Sequence, residues 1–294
     1  MKPWHGVLVA TATPYDGELE IDLERFGEHV AWLAECGCDG VTPNGSLGEY
    51  QVLTDSERAA VVRTAVEAAP EGFSVIPGVA AYGARESCAW AEQAAEAGAD
   101  GVLLLPPNAY RADRRAVLAH YAEVAKVGLP IVAYNNPIDT KVDLTPELLA
   151  ELHEQGSIVA VKEFSGDVRR GYRIAELAPE LDLLVGADDV LLELMLAGAV
   201  GWVAGYPNAF PATCVELYEA CRDHDLERAL PLYRRMHPLL RWDSRTEFVQ
   251  AIKLSMDMVG RHGGPCREPR QALTEEHTAA IREATDAAMK AGVR

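Results

Sequence analysis

Lys162 ends the apolar run Ile158-Val159-Ala160-Val161 and is followed by Glu163-Phe164, so its amine would stand against hydrocarbon at a strand end. Desolvation disfavours the charged amine and leaves a nucleophilic fraction able to attack a carbonyl and form an imine. The plainer role is a lysine that ends a strand and pairs with a nearby acid. Tyr134 ends a second apolar run in the segment Ala133-Tyr134-Asn135-Asn136-Pro137. Were the two runs neighbouring strands, about 5 Å apart, the phenol could approach the amine and shuttle protons. Packing, with the hydroxyl in water, explains a strand-end tyrosine equally well. In a third segment, Asn44-Gly45-Ser46-Leu47-Gly48-Glu49, glycines let the backbone expose amide hydrogens and Ser46 adds a hydroxyl donor. That is a cradle suited to a carboxylate, although an ordinary tight turn before Thr54 accounts for the same glycines.

Other chemistries lack their residues. There is no GK[ST] loop, no GxG pair opening a dinucleotide fingerprint and no HExxH. Asn44 stands where a serine-hydrolase elbow, GxSxG, needs its first glycine. The eight histidines do not cluster, and His237 and His262 read as solvated surface positions. Asp188-Asp189 reads as a pair of acids capping a helix, so no metal is assigned.

The elements that position these groups follow from hydrophobic pattern. Eight short apolar runs lie at 6–13, 39–44, 73–79, 101–106, 130–135, 157–163, 181–187 and 200–205. They are continuous rather than alternating, as in strands of a parallel sheet buried on both faces. Between them lie helical patterns. Leu23, Phe26, Val30 and Leu33 form one apolar stripe, Thr54 with Glu57 has capping-box spacing, and Thr145-Pro146 suits a helix start. The octets AECGCDGV (34–41), AEAGADGV (95–102) and LAGAVGWV (196–203) each end a helix at glycine and enter a strand. Eight such units predict an α/β protein, a (β/α)₈ barrel over 1–223, followed by a C-terminal helical extension over 224–294. Beyond residue 210 the pattern predicts helices at Pro211–Cys221, Leu226–Leu240 and Thr246–Met258 and a further one near the C-terminus.

Composition agrees with a folded enzyme: 49% hydrophobic and 24% charged residues in 294. With 27 Lys and Arg against 45 Asp and Glu, the formal charge of −18 disfavours nucleic acid and anionic membranes as partners. The N-terminal apolar stretch is too short for a signal peptide, and Asp188, Asp189 and Glu193 interrupt the most apolar later stretch, so neither secretion nor a membrane span is expected. Six scattered cysteines without a CxxC pair suggest reduced thiols and a cytoplasmic protein.

Taken jointly, GSLGE (45–49), YNNP (134–137) and VAVKEFSGD (159–167) resemble the dihydrodipicolinate synthase and N-acetylneuraminate lyase family of class I pyruvate-type aldolases. The resemblance extends to ATPY (12–15), VGADD (185–189) and the helical tail. It implies a (β/α)₈ barrel, a homotetramer or dimer of dimers, and a lysine imine with pyruvate or another 2-oxo acid, with no external cofactor. By carry-over, Lys162 would form the imine and Tyr134 relay protons. Ser46 and the Leu47 amide would hold the 2-oxo acid's carboxylate, and Gly186 and Val203 would line the pocket.

Departures from the family pattern bear on the substrate. Dihydrodipicolinate synthases typically carry an arginine two residues after the proline of the tyrosine motif, for the second substrate's carboxylate; Asp139 stands here. Their second tyrosine falls near Asn108, so that relay is missing or moved to Tyr110, and Leu47 cannot pass a proton. The expectation is a Schiff-base lyase, an aldolase or a dehydratase or deaminase, acting on a small 2-oxo acid. Two alternatives are 4-hydroxy-tetrahydrodipicolinate synthase proper and a non-catalytic 2-oxo-acid-binding member of the family. An anionic substrate also requires the acidity to lie on the outer helices and not at the barrel mouth.

Overall fold

The computed structural model describes residues 2–294. Eight parallel strands form its sheet: β1 (Gly6–Ala10), β2 (Gly40–Thr42), β3 (Ser74–Val75), β4 (Val102–Leu104), β5 (Ile131–Asn135), β6 (Ala160–Glu163), β7 (Asp182–Val185) and β8 (Gly201–Ala204). Each falls inside one of the eight apolar runs. The order β3-β2-β1-β8-β7-β6-β5-β4 curls the sheet, and the parallel bridge between Gly78 and Leu103 joins its two edges. Three backbone bonds make that junction, Asp100 N–H to the Val75 carbonyl at 3.0 Å, Val79 N–H to the Leu103 carbonyl at 3.0 Å and Leu103 N–H to the Pro77 carbonyl at 2.9 Å. The architecture is the (β/α)₈ barrel that the alternation predicts.

The helices alternate with the strands: α1 (Leu23–Glu35), α2 (Asp55–Ala68), α3 (Ala84–Ala97), α4 (Arg114–Ala125), α5 (Pro137–Thr140), α6 (Pro146–Glu154), α7 (Arg169–Leu177) and α8 (Leu191–Leu196). After β8 come α9 (Pro211–Arg222), α10 (Leu226–Leu240), α11 (Phe248–Met258) and α12 (Glu275–Lys290). Their local causes are legible. Thr54 and Glu57 form the capping box of α2, and the Thr145 hydroxyl accepts the Leu148 N–H ahead of Pro146 in α6. Phe26, Val30 and Leu33 are buried along α1, with Leu23 half-buried at its start.

The repeated octets recur for a backbone reason. Gly37, Gly98 and Gly198 have φ of +91°, +93° and +100°, the left-handed conformation that ends a helix. Two residues later Asp39 and Asp100 accept the amides of Val7 and Val75, tying each new strand to its predecessor.

No described helix is long and apolar enough to cross a membrane. All six cysteines are unpaired.

Candidate active site

β5 and β6 are in parallel register, with Tyr134 opposite Lys162 and Asn135 opposite Glu163. Side chains alternate across a strand, so the first pair faces the barrel interior and the second faces the helices. The outward pair serves the fold. Glu163 accepts the Asn135 amide at 2.9 Å and the Ser165 N–H at 2.6 Å, while the Asn135 Oδ1 accepts the Leu144 N–H.

The inward pair opens on a cavity of about 580 Å³ at the C-terminal ends of the strands. Lys162 is 6% exposed, and its Nζ lies 4.4 Å from the Tyr134 ring centroid and 5.8 Å from that of Phe164. Burial lowers its pKa, opposed by the charges of Asp243 and Asp188. Burial also pushes the Tyr134 phenol up, helped by Asp243 and opposed by the Asn136 amide, which donates to its hydroxyl at 3.4 Å. The phenol is therefore a proton holder rather than a phenolate.

Ser46, Leu47, Val203, Asn108 and Asp139 share the cavity wall with Lys162 and Tyr134. Asn44 and Glu49 bracket the Ser46 loop with φ of +56° and +55°, and the loop is fastened by Thr13 donating to the Gly48 carbonyl at 2.8 Å. The Ser46 hydroxyl has no hydrogen-bond partner among the described residues, so it is available to a ligand. Gly186 is not in the wall. A Cβ there would stand 2.5 Å from the Glu163 carbonyl oxygen and 3.0 Å from the Lys162 Cγ, so this glycine gives room to the lysine's stem. Tyr110 is outside the cavity and 60% exposed. Asp139 accepts the Asn136 amide at 2.8 Å, on the same asparagine that reaches Tyr134.

Of two further acids at the site, the sequence reading gave Asp188 a different role and passed over Asp243. Asp188 is not a helix cap: its buried carboxylate accepts Trp202 Nε1–H at 2.9 Å, the Gly205 N–H at 3.2 Å and the Tyr206 N–H at 3.1 Å. Burial and the neighbouring Asp243 raise its pKa. Asp243 follows α10, is 7% exposed and lines the cavity beside Lys162. No strand-end motif marks it in the sequence. His237 and His262 also differ from expectation, since both are half-buried and directed at backbone carbonyls, those of Asp189 and Tyr15. The compact tail gives each a backbone partner where solvent was expected.

The cavity wall carries four acids, Asp55, Glu86, Asp139 and Asp243. Against them stand four bases, Arg58, Lys162, Arg245 and Arg270. In a chain of net charge −18, acidic and basic side chains are thus equal in number at the mouth, and the excess of acidic residues lies elsewhere. Arg58 is buried against the Trp90 ring at 4.2 Å, with its guanidinium donating to the Ala80 and Gly78 carbonyls.

Fold and site define a (β/α)₈ barrel protein with a buried amine and phenol at adjoining strand ends. The chain belongs to the dihydrodipicolinate synthetase family, whose model matches residues 3–288. It is 34% identical over 278 residues to an uncharacterised DapA-like lyase of Halobacterium salinarum, covering 94% of this chain and 91% of that one. It is 32% identical over 288 residues to the 4-hydroxy-tetrahydrodipicolinate synthase of Methanoculleus marisnigri, covering 95% and 98%. Among solved structures it resembles a prophage protein of the dihydrodipicolinic acid synthase family from E. coli K12 in complex with pyruvate. That match has a TM-score of 0.90 and 25% identity, covering 97% of this chain and 98% of that one.

Proposed function

We propose that the protein is a lyase that forms an imine between Lys162 and pyruvate or a related 2-oxo acid. The observation that carries this reading is the buried Lys162 amine, its pKa lowered, in register with Tyr134 inside the cavity. A neutral amine attacks the ketone carbon, and loss of water from the carbinolamine leaves the imine. Tyr134, holding its proton, gives and recovers it as the carbinolamine oxygen departs. Ser46 and the Leu47 amide hold the carboxylate, and Val203 closes the wall. The imine then acts as an electron sink for cleaving or forming a C–C bond, or for eliminating water or ammonia from a larger 2-oxo acid. In this reading no external cofactor is needed, and the enzyme works in the cytoplasm as a homotetramer or dimer of dimers.

Borohydride reduction in the presence of pyruvate should add the reduced pyruvate mass to the peptide containing Lys162. An unmodified peptide at saturating pyruvate would sink the reading.

A second reading is 4-hydroxy-tetrahydrodipicolinate synthase, the name carried by the Methanoculleus relative. Asp139 stands against it, because a carboxylate cannot pair with a second substrate's carboxylate. Arg245 and Arg270 in the cavity wall favour it, since either could replace the missing cation. Turnover of pyruvate with aspartate semialdehyde separates the two readings. A protein that only binds 2-oxo acids would show neither activity, and a buried amine beside a phenol argues against that role.

A further inference from the structure

We propose that Asp243, brought to the barrel mouth by the C-terminal helices, is the base that removes the C3 proton of the imine on Lys162 and later returns it. The proposal rests on the imine reading above. In this step the C3–H bond breaks and its electron pair becomes the C2=C3 bond. The iminium nitrogen becomes a neutral enamine nitrogen, and Asp243 changes from carboxylate to carboxylic acid.

Geometry points to this residue. Asp243 lies in the turn that ends α10, with its N–H donating to the Leu240 carbonyl at 3.1 Å. From there it reaches the same cavity wall as Lys162, Tyr134, Val203 and Gly205. One carboxylate oxygen, Oδ2, accepts the Asp188 N–H at 3.4 Å. The other, Oδ1, has no hydrogen-bond partner among the described residues. A Cβ on Gly205 would stand 2.7 Å from that oxygen and 3.6 Å from the Asp188 Oδ2, so the glycine keeps the space in which the two carboxylates face one another. Asp243 makes no ion pair among the described residues, and burying an unpaired carboxylate is costly. A fold that retains one beside its buried amine has placed it where function can use it.

Other groups are poorly suited to the step: Leu47 is apolar, Asn108 is an amide, Tyr110 lies outside the cavity, and the Ser46 hydroxyl is committed to the substrate's carboxylate in the reading above. Burial keeps the Tyr134 phenol protonated, so it serves the carbinolamine step as an acid and is not a resting phenolate free to take a proton from carbon. A carboxylate suits that step better, and burial pushes Asp243 above the ordinary carboxylate range, nearer to working pH. The titratable groups acting on it or acted on by it are Lys162 from β6, Asp188 and Asp189 after β7, Tyr134 from β5 and Tyr206 after β8. Lys162 and the Asp188 amide draw its pKa down, while burial and Asp189 raise it.

Pyruvate in D₂O separates imine formation from proton removal. The wild-type protein should give the borohydride-trapped adduct on Lys162 and exchange the methyl hydrogens of pyruvate for deuterium. Asp243→Asn should keep the adduct and lose exchange by about 100-fold or more, and Asp243→Glu should recover part of it. Wild-type exchange should fall on the acid side through a limb above the usual carboxylate range, a limb that Asp243→Asn lacks. Exchange by Asp243→Asn at the wild-type rate and with the wild-type pH profile overturns the proposal. Loss of adduct and exchange together in both variants also overturns it, since that marks a purely structural role. Absence of adduct on the wild-type protein would instead remove the imine reading on which the proposal stands.

Discussion

The protein buries two lysines, and their surroundings differ. Lys253 is 1% exposed and sits against Glu49 at 2.8 Å, with a second bond to the Pro265 carbonyl at 2.7 Å and the Tyr15 ring centroid at 4.5 Å. Glu49 belongs to the Ser46 loop and also accepts the Arg267 N–H at 3.1 Å, so this cluster fastens the C-terminal helices to the barrel. Lys162 is buried almost as fully but has an aromatic face and open cavity around it, with its nearest influential acids sharing their own burden of burial. Burial alone does not make a nucleophile. A matched carboxylate turns a buried lysine into a clasp, and its absence leaves an amine that favours neutrality.

The comparison breaks first at Lys162. Lys162→Arg should abolish the pyruvate adduct and lower turnover by more than about 10³-fold, because guanidinium stays protonated and cannot form an imine. Its thermal midpoint should stay near that of the wild type. In the wild type, the rate of adduct formation should rise with pH as the neutral amine appears. It should level off below the ordinary lysine range of about 10.4, following the lowered pKa.

Next in size is Tyr134→Phe, which should reduce turnover by about 10²- to 10⁴-fold, the contribution of a positioned acid–base group. Stopped borohydride trapping should show the adduct forming more slowly. An unchanged rate would make the tyrosine mere packing.

At the other lysine the effect should fall on stability. Lys253→Met strands Glu49 in the interior and should cost about 3–5 kcal/mol in denaturant unfolding. Folded protein that remains should still trap pyruvate on Lys162. Pairing the change with Glu49→Gln removes the stranded charge and should recover part of the loss; a double variant no more stable than the single one would contradict the clasp.

The smallest effect is expected from Asn136→Ala, which removes the donor to the Tyr134 hydroxyl and frees Asp139. Turnover should fall about fivefold, the worth of one neutral hydrogen bond, with adduct yield at saturating pyruvate unchanged. A larger loss would mean that the Asp139–Asn136 pair does more than orient the phenol.

Much of this was legible from residues alone where the cause is local. The eight runs become strands because each is apolar on both faces, and the repeated glycines end helices because their φ is positive. Lys162 and Tyr134 could be paired because neighbouring strand ends meet in any such barrel. Asp188 was misread because an acid opening a helix normally caps it, and nothing in VGADD shows that Trp202, Gly205 and Tyr206 offer it three N–H groups. Gly186 was expected in the wall, and what it does is leave room for the Lys162 stem, a close approach that spacing cannot register.

The sequence by itself determined the barrel, the amine at the end of β6 and the phenol beside it, since hydrophobic period and strand register are local and repetitive. Only the tertiary structure decided which buried lysine is clasped and which is free, and that a turn after α10 delivers Asp243 to the cavity. Those outcomes depend on contacts between residues far apart in the chain: Glu49 with Lys253, and Asp188 with Asp243 across Gly205. No local pattern encodes such meetings; they exist only once the tail has packed across the strand ends.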